Sequence, residues 1–235
     1  MSTMNHTLRE MSPARTFARV RSGRLDWPWA VSAISAAGLM LVAFVLPLWQ
    51  MRLLAPQYPG GLNLTAFGTR IEGDLGEING LNHYIGVRAI EPDSIFELSL
   101  FPFVFFPVIA VIVLAAFVTL PWWGRGLLAF AAWAFPLGLL IDLQFWLYTY
   151  GHDLNPTAAM RVDPFTPRVL GGTQVMNFHS QTSVTTGFWV MVAAAVLLTI
   201  GPAVIRFLVA SWKNTESGHA SPAAALVASG VVLAG

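Results

Sequence analysis

Four long apolar runs constrain this chain more than any other feature: Trp27–Trp49, Leu98–Leu120, Gly126–Tyr150 and approximately Val184–Ala210. Each holds about 23–27 residues, or roughly 34–40 Å as helix, against a hydrocarbon core of about 30 Å. Only one acid, Asp142, lies well inside them. A helix of this length in water needs a polar face, and none of the four has one. The expected fold is an all-α membrane protein: a four-transmembrane-helix bundle with a small periplasmic loop region containing a short β-hairpin.

Composition agrees, with 55% hydrophobic and 11% charged residues in 235. That length suits one bundle with two modest outer segments. The net charge of +1 argues neither for nor against a polyanionic partner; the lipid bilayer is an expected partner and nucleic acid is not. Charge placement sets the orientation. Arg9, Arg15, Arg19, Arg21 and Arg24 precede the first run, Arg125 lies in the turn between the second and third, and Arg206 and Lys213 follow the fourth. Glu72, Asp74, Glu77, Glu91, Asp93 and Glu97 outnumber the arginines between the first and second runs. Short basic flanks stay cytoplasmic. The expected organisation is therefore a cytoplasmic basic arm (1–26), a transmembrane domain (27–210) with outer loops 50–97 and 151–183, and a tail (211–235). Both termini lie inside on this reading. No cysteine is present, which excludes disulfides, cysteine-ligated iron–sulfur clusters and thiolate metal sites.

Trp27 and Trp29 should mark the inner interface and Trp49 the outer one. In the first outer loop, Pro56–Gly61 reads as a turn, and Leu62–Phe67 alternates like a half-buried strand that pairs with Arg70–Asp74 across Gly68-Thr69. Glu77–Ile85 suits one or two turns of helix. The second outer loop, broken at Pro156, Pro164, Pro167, Gly171 and Gly172, should be mostly irregular. The apolar stretch Ala223–Ala234 is too short to span, at about 12 residues.

Three histidines belong to the outer side: His83, His152 and His179. One reading gathers them into a metal site with Met176 and Asp153, and with Met51 or Met160 as further soft ligands. Imidazole with thioether suits copper. The competing reading is three separate loop histidines, since no two fall at the i, i+3 or i, i+4 spacing of a preformed ligand pair. Asp142, counted back from Tyr150, should lie about 12 Å below the outer surface. An intramembrane acid is a candidate for proton or ion passage, although a conductor usually shows more polar groups at that depth. No nucleophile elbow, phosphate loop, metalloprotease helix or dinucleotide fingerprint occurs, so the chain is not expected to be an enzyme on its own.

Two stretches carry a resemblance: Ala55–Leu62 through Gly73–Gly86, containing Leu81-Asn82-His83-Tyr84-Ile85-Gly86, and Trp146–Pro156, containing Tyr150-Gly151-His152-Asp153-Leu154-Asn155-Pro156. They resemble bacterial four-span inner-membrane proteins associated with copper-enzyme and nitrous-oxide-reductase maturation loci. The likeness covers most of residues 50–180. It implies the bacterial inner membrane and a copper context, and no catalytic role. Where the family pattern carries Met after that glycine, this chain has Val87. The leading expectation is a membrane accessory subunit whose outer loops, through Glu77, Asn79, Asn82 and Tyr84, dock a membrane or periplasmic partner in copper delivery or electron transfer. The rivals are a membrane subunit of a metal-dependent oxidoreductase using the histidines, and a proton or small-solute conductor using Asp142.

Overall fold

A computed structural model describes residues 25–218 of the chain. Of the basic arm expected over residues 1–26, only Leu25 and Asp26 fall within it, and the tail beyond Gly218 lies outside the described residues. Among those described, four helices are long and apolar enough to cross a membrane: α1 (Trp27–Val45), α3 (Phe96–Ala116), α4 (Trp122–His152) and α5 (Thr186–Gly218). Pro28 stands in the first turn of α1, where its missing N–H costs nothing. Pro102, Pro107, Pro136 and Pro202 lie inside helices, a placement that neighbouring helices make tolerable in lipid. The helix of the fourth run continues to Gly218, into the tail expected from residue 211.

Packing within the bundle centres on α1, which lies against α5 and α3, while α4 leans on α5. Its contact face is made of small side chains. Ala33, Ala36, Ala37 and Ala43 are buried in one cluster with Ala194 and Ala195 of α5. Lipid tails are as apolar as leucine, so helices there associate by close backbone approach, and alanine permits it. Towards the other side, Phe44 stacks on Phe101 and Phe105 at centroid separations of 6.2 and 5.9 Å, and Phe105 meets Phe135 edge-on at 4.8 Å. These rings join α1, α3 and α4.

One end of the bundle is held by charge. Asp26 Oδ2 accepts from Arg125 at 2.8 Å and from Arg206 at 2.5 Å, tying the starts of α1 and α4 to the later part of α5. The Trp29 indole donates to the Ala115 carbonyl at 2.9 Å, adding α3. Burial raises the Asp26 pKa, but the Arg125 hydrogen bond and charge, the Arg206 charge and the Trp29 backbone N–H outweigh it, so the carboxyl titrates below its ordinary value. From this cluster to the opposite ends of α1 and α5 is about 20 residues, or roughly 30 Å, the thickness of a hydrocarbon core.

At the opposite end stands a five-stranded antiparallel sheet rather than a single hairpin. Its strands are β1 (Trp49–Ala55), β2 (Tyr58–Ala66), β3 (Ile71–Gly73), β4 (Gly171–Val175) and β5 (Phe178–Val184), in the order β3-β2-β1-β5-β4. The expected pairing across Gly68-Thr69 is present, with Ala66 opposite Ile71 and Leu64 opposite Gly73. One expectation is corrected: Trp49 does not close the first helix, because α1 ends at Val45 and Trp49 opens β1. The second loop is irregular from Asp153 to Leu170, as expected, and its remainder is the β4–β5 hairpin from Gly171 to Val184. Helix α2 (Leu75–Ile85), 11 residues long, exceeds the expected one or two turns.

Candidate functional site

The sheet is amphipathic in the simplest way, since strand side chains alternate between its faces. One face carries Trp49, Leu62, Leu64 and Ala66, which form a second buried cluster with Ile78 of α2. Leu143 and Leu147 from the last turns of α4 pack against it. Helix α4 therefore rises past the bundle and serves as a post beneath the sheet. Gln144 fastens the second loop to this post: its Nε2 donates to the Pro167 carbonyl at 3.1 Å and its Oε1 accepts from Val169 N at 3.2 Å. The Trp49 indole donates to the Val169 carbonyl at 2.7 Å.

Between sheet, α2 and α4 remains a cavity of about 120 Å³, lined mainly by apolar groups including Leu53, Ile78, Leu147 and Phe178, with Asn82 at its wall. Asn82 thus faces inward as well as towards solvent. Asn79 is also occupied. Its Nδ2 donates to the Ile90 carbonyl at 3.0 Å and its Oδ1 accepts from Ile90 N at 2.7 Å, a clip that closes the chain leaving α2. Both atoms serve the fold, so of the four expected docking residues it is Glu77 and Tyr84 that stand exposed on α2. Replacing Asn79 by Ala should cost about 1–3 kcal/mol, because a partly buried carbonyl and N–H lose their partner together. A denaturant titration in micelles measures this.

The two stretches that carry the resemblance meet in space. Gly86 ends α2 at φ 80°, and its carbonyl accepts from Asn155 N at 2.8 Å while the Tyr84 carbonyl accepts from Met160 N at 3.1 Å. A Cβ on Gly86 would fall 2.9 Å from the Asn155 carbonyl oxygen, so both the conformation and the close approach require glycine. At Gly151 a Cβ would fall 2.0 Å from the Phe165 carbonyl oxygen, so the close approach of the second loop to α4 requires glycine there. The sequence singled out these glycines inside motifs without revealing that they form one joint.

The candidate metal ligands are distributed around this module. His83 and Asp153 border one open depression beside Arg88. His152 turns back on its own helix, stacked on Tyr148 at 3.9 Å with Nδ1 2.9 Å from the Tyr148 carbonyl oxygen. His179 lies on the far face of β5, paired with Leu54 and Gln174, and Met176 occupies the β4–β5 turn at φ 53°. Among the described residues no group of three or more His, Asp or Glu side chains comes together as a metal-holding set. The proposed sharing of one ion by His83, His152, His179, Met176 and Asp153 has no such centre to rest on.

Asp142 lies on α4, about 25 Å along the helix from Arg125. Its neighbours Leu143 and Gln144 already touch the sheet module, and the charge acting on it is that of Glu97, in the first turn of α3.

The second face of the sheet is covered by no helix of the described chain. Its side chains form cross-strand rows: Thr65, Gln50 and Ser183; then Asn63, Arg52 and Gln181; then Leu54, His179 and Gln174. Gln50 Nε2 donates to Ser183 Oγ at 3.0 Å within the first row. Fold and site together define a polytopic helical protein carrying a polar-faced sheet module at one end. No protein-family model matches the chain, and no curated protein matches it.

Proposed function

We propose that the protein is an integral inner-membrane accessory subunit that presents its sheet module to a partner on the outer side. The observation that carries this reading is the open face of the sheet. Nine side chains in three paired rows, eight of them polar, are held on four strands of a sheet whose reverse side is anchored by α2 and α4. A rigid polar platform of this kind favours recognition through many directed hydrogen bonds with a polar surface. The two central strands, β1 and β5, continue directly into α1 and α5, so the platform is fixed to the bundle. The excess of Arg and Lys at the other end supports an outward-facing sheet. The partner is a membrane or periplasmic protein, and the resemblance supplies copper delivery or electron transfer as its setting.

Co-purification from mild detergent tests the proposal. The wild type should carry a defined partner chain, and the pair His179→Ala with Gln181→Ala, two exposed side chains of β5, should lose it with little change in the unfolding midpoint. A monodisperse monomer without any companion, or a variant that keeps the companion, would refute the reading. Because the chain has no cysteine, a single Gln181→Cys should react with a membrane-impermeant thiol reagent added outside intact cells, and failure to react would reverse the orientation.

The cavity favours a second reading, in which the module holds a small apolar ligand. Its lining is almost wholly apolar, as expected of a site for a short hydrocarbon group.

A further inference from the structure

At the charged end of the bundle, the Asp26 cluster leaves an imbalance that its structural role does not explain. Two guanidinium groups share one carboxylate oxygen, so among the described residues the cluster carries one excess positive charge. Arg125 is mostly buried, at 24% side-chain exposure, and its Nε is buried with no hydrogen-bond partner among the described residues. A buried donor of a charged group left unpaired is costly. Beside it opens a cavity of about 410 Å³ lined by both arginines, with Trp29 and Trp122 among its walls and Leu198 and Pro202 on the α5 side.

Its depth defines what can fill it. The cluster is one hydrocarbon thickness from the sheet end, which is the level of lipid headgroups. Trp122 is 85% exposed and Trp123 62% exposed beside it, as interfacial tryptophans are. We infer that this cavity binds the monoanionic phosphodiester of an anionic phospholipid. The phosphate oxygens accept from Arg125 and Arg206, which neutralises the excess charge. The glycerol and first methylenes lie along Leu198, Pro202 and the Trp122 ring. Arginine suits the task because its planar fork bonds phosphate through two N–H groups at once. Basic pockets between helices at this level are suited to acidic headgroups. The inference holds for either leaflet and so stands apart from the docking proposal.

The full chain, purified in a neutral detergent, tests it by thermal unfolding and native mass spectrometry. Three additions are compared: phosphatidylglycerol, phosphatidylcholine and inorganic phosphate. Phosphatidylglycerol should raise the unfolding midpoint and remain bound in the gas phase, and the other two should do neither. Arg206→Gln should weaken the effect at least tenfold in lipid concentration. Ala203→Trp, which fills the cavity from its α5 wall while leaving the ion pairs in place, should do the same in a protein whose lipid-free midpoint is unchanged. Equal stabilisation by phosphatidylcholine, an equal effect of inorganic phosphate, or unaltered phosphatidylglycerol binding in Ala203→Trp would each overturn the proposal.

Discussion

Trp49→Ala is expected to lower folding stability by about 3–5 kcal/mol, the largest loss from any single truncation argued for this protein. Trp49 is 2% exposed, begins the central strand, and packs in the cluster that joins sheet, α2 and α4. Truncation leaves a void where the indole was and strips the Val169 carbonyl of its 2.7 Å donor. Trp49→Phe separates the two effects: it keeps most of the packing and should cost about 1–2 kcal/mol for the lost hydrogen bond. An aromatic anchor facing lipid headgroups would give a different result, since exposed substitutions usually change stability by about 0.5 kcal/mol or less. Denaturant titration in mixed micelles, followed by circular dichroism, distinguishes these outcomes. A loss near zero for Trp49→Ala would mean that the strand and its buried face are misplaced.

The second large effect concerns Asp26. Asp26→Asn leaves Arg125, mostly buried, facing a neutral amide, and should cost about 2 kcal/mol, less than a fully buried pair because Arg206 is half exposed. The same carboxyl makes stability depend on acid. Its pKa in the folded protein lies below the ordinary value of 3.8, so the unfolded chain binds the proton more readily. The stabilisation is therefore fully present above the unfolded value and is lost as pH falls through the folded one. Measured from about pH 6 down to about pH 3, the wild type should lose its advantage over Asp26→Asn below roughly pH 4. Parallel profiles for the two proteins across that range would rule out Asp26 as the source of the effect.

Long apolar runs made the four helices legible, because no soluble alternative accommodates stretches such as Leu98–Leu120. The β2–β3 pairing was legible for a local reason: Leu62, Leu64 and Ala66 alternate with Asn63 and Thr65 just before a short turn. Strand β1 was hidden by its neighbour. Trp49 and Leu53-Leu54 extend the hydrophobic run of α1, which masks the period-two pattern in which Gln50 and Arg52 face one way and Met51 and Leu53 the other. The start of β2 was hidden by Pro59-Gly60-Gly61, a signature of turns. The strand tolerates it because the register shifts between Leu53 and Ala55, directly opposite. The β4–β5 hairpin turns at Met176-Asn177 with Met176 at φ 53°, where glycine or asparagine would have signalled the turn. At the site, the sequence marked Asn79 and Asn82 as polar and therefore as candidates for a partner. Only the fold reveals that the first is bonded to Ile90 and the second borders an apolar cavity.

The order β3-β2-β1-β5-β4 has a consequence for how the protein is made. Trp49 pairs with Val184, and Leu54 with His179, so the inner seam of the sheet joins an early part of the polypeptide to one that leaves the ribosome much later. Until β5 emerges, β1 keeps a row of unsatisfied backbone groups on that side, open to mispairing. Arrival of the segment before the final helix thus becomes the event that completes the module, and a nascent chain halted before residue 178 should expose a strand that a chaperone must shield.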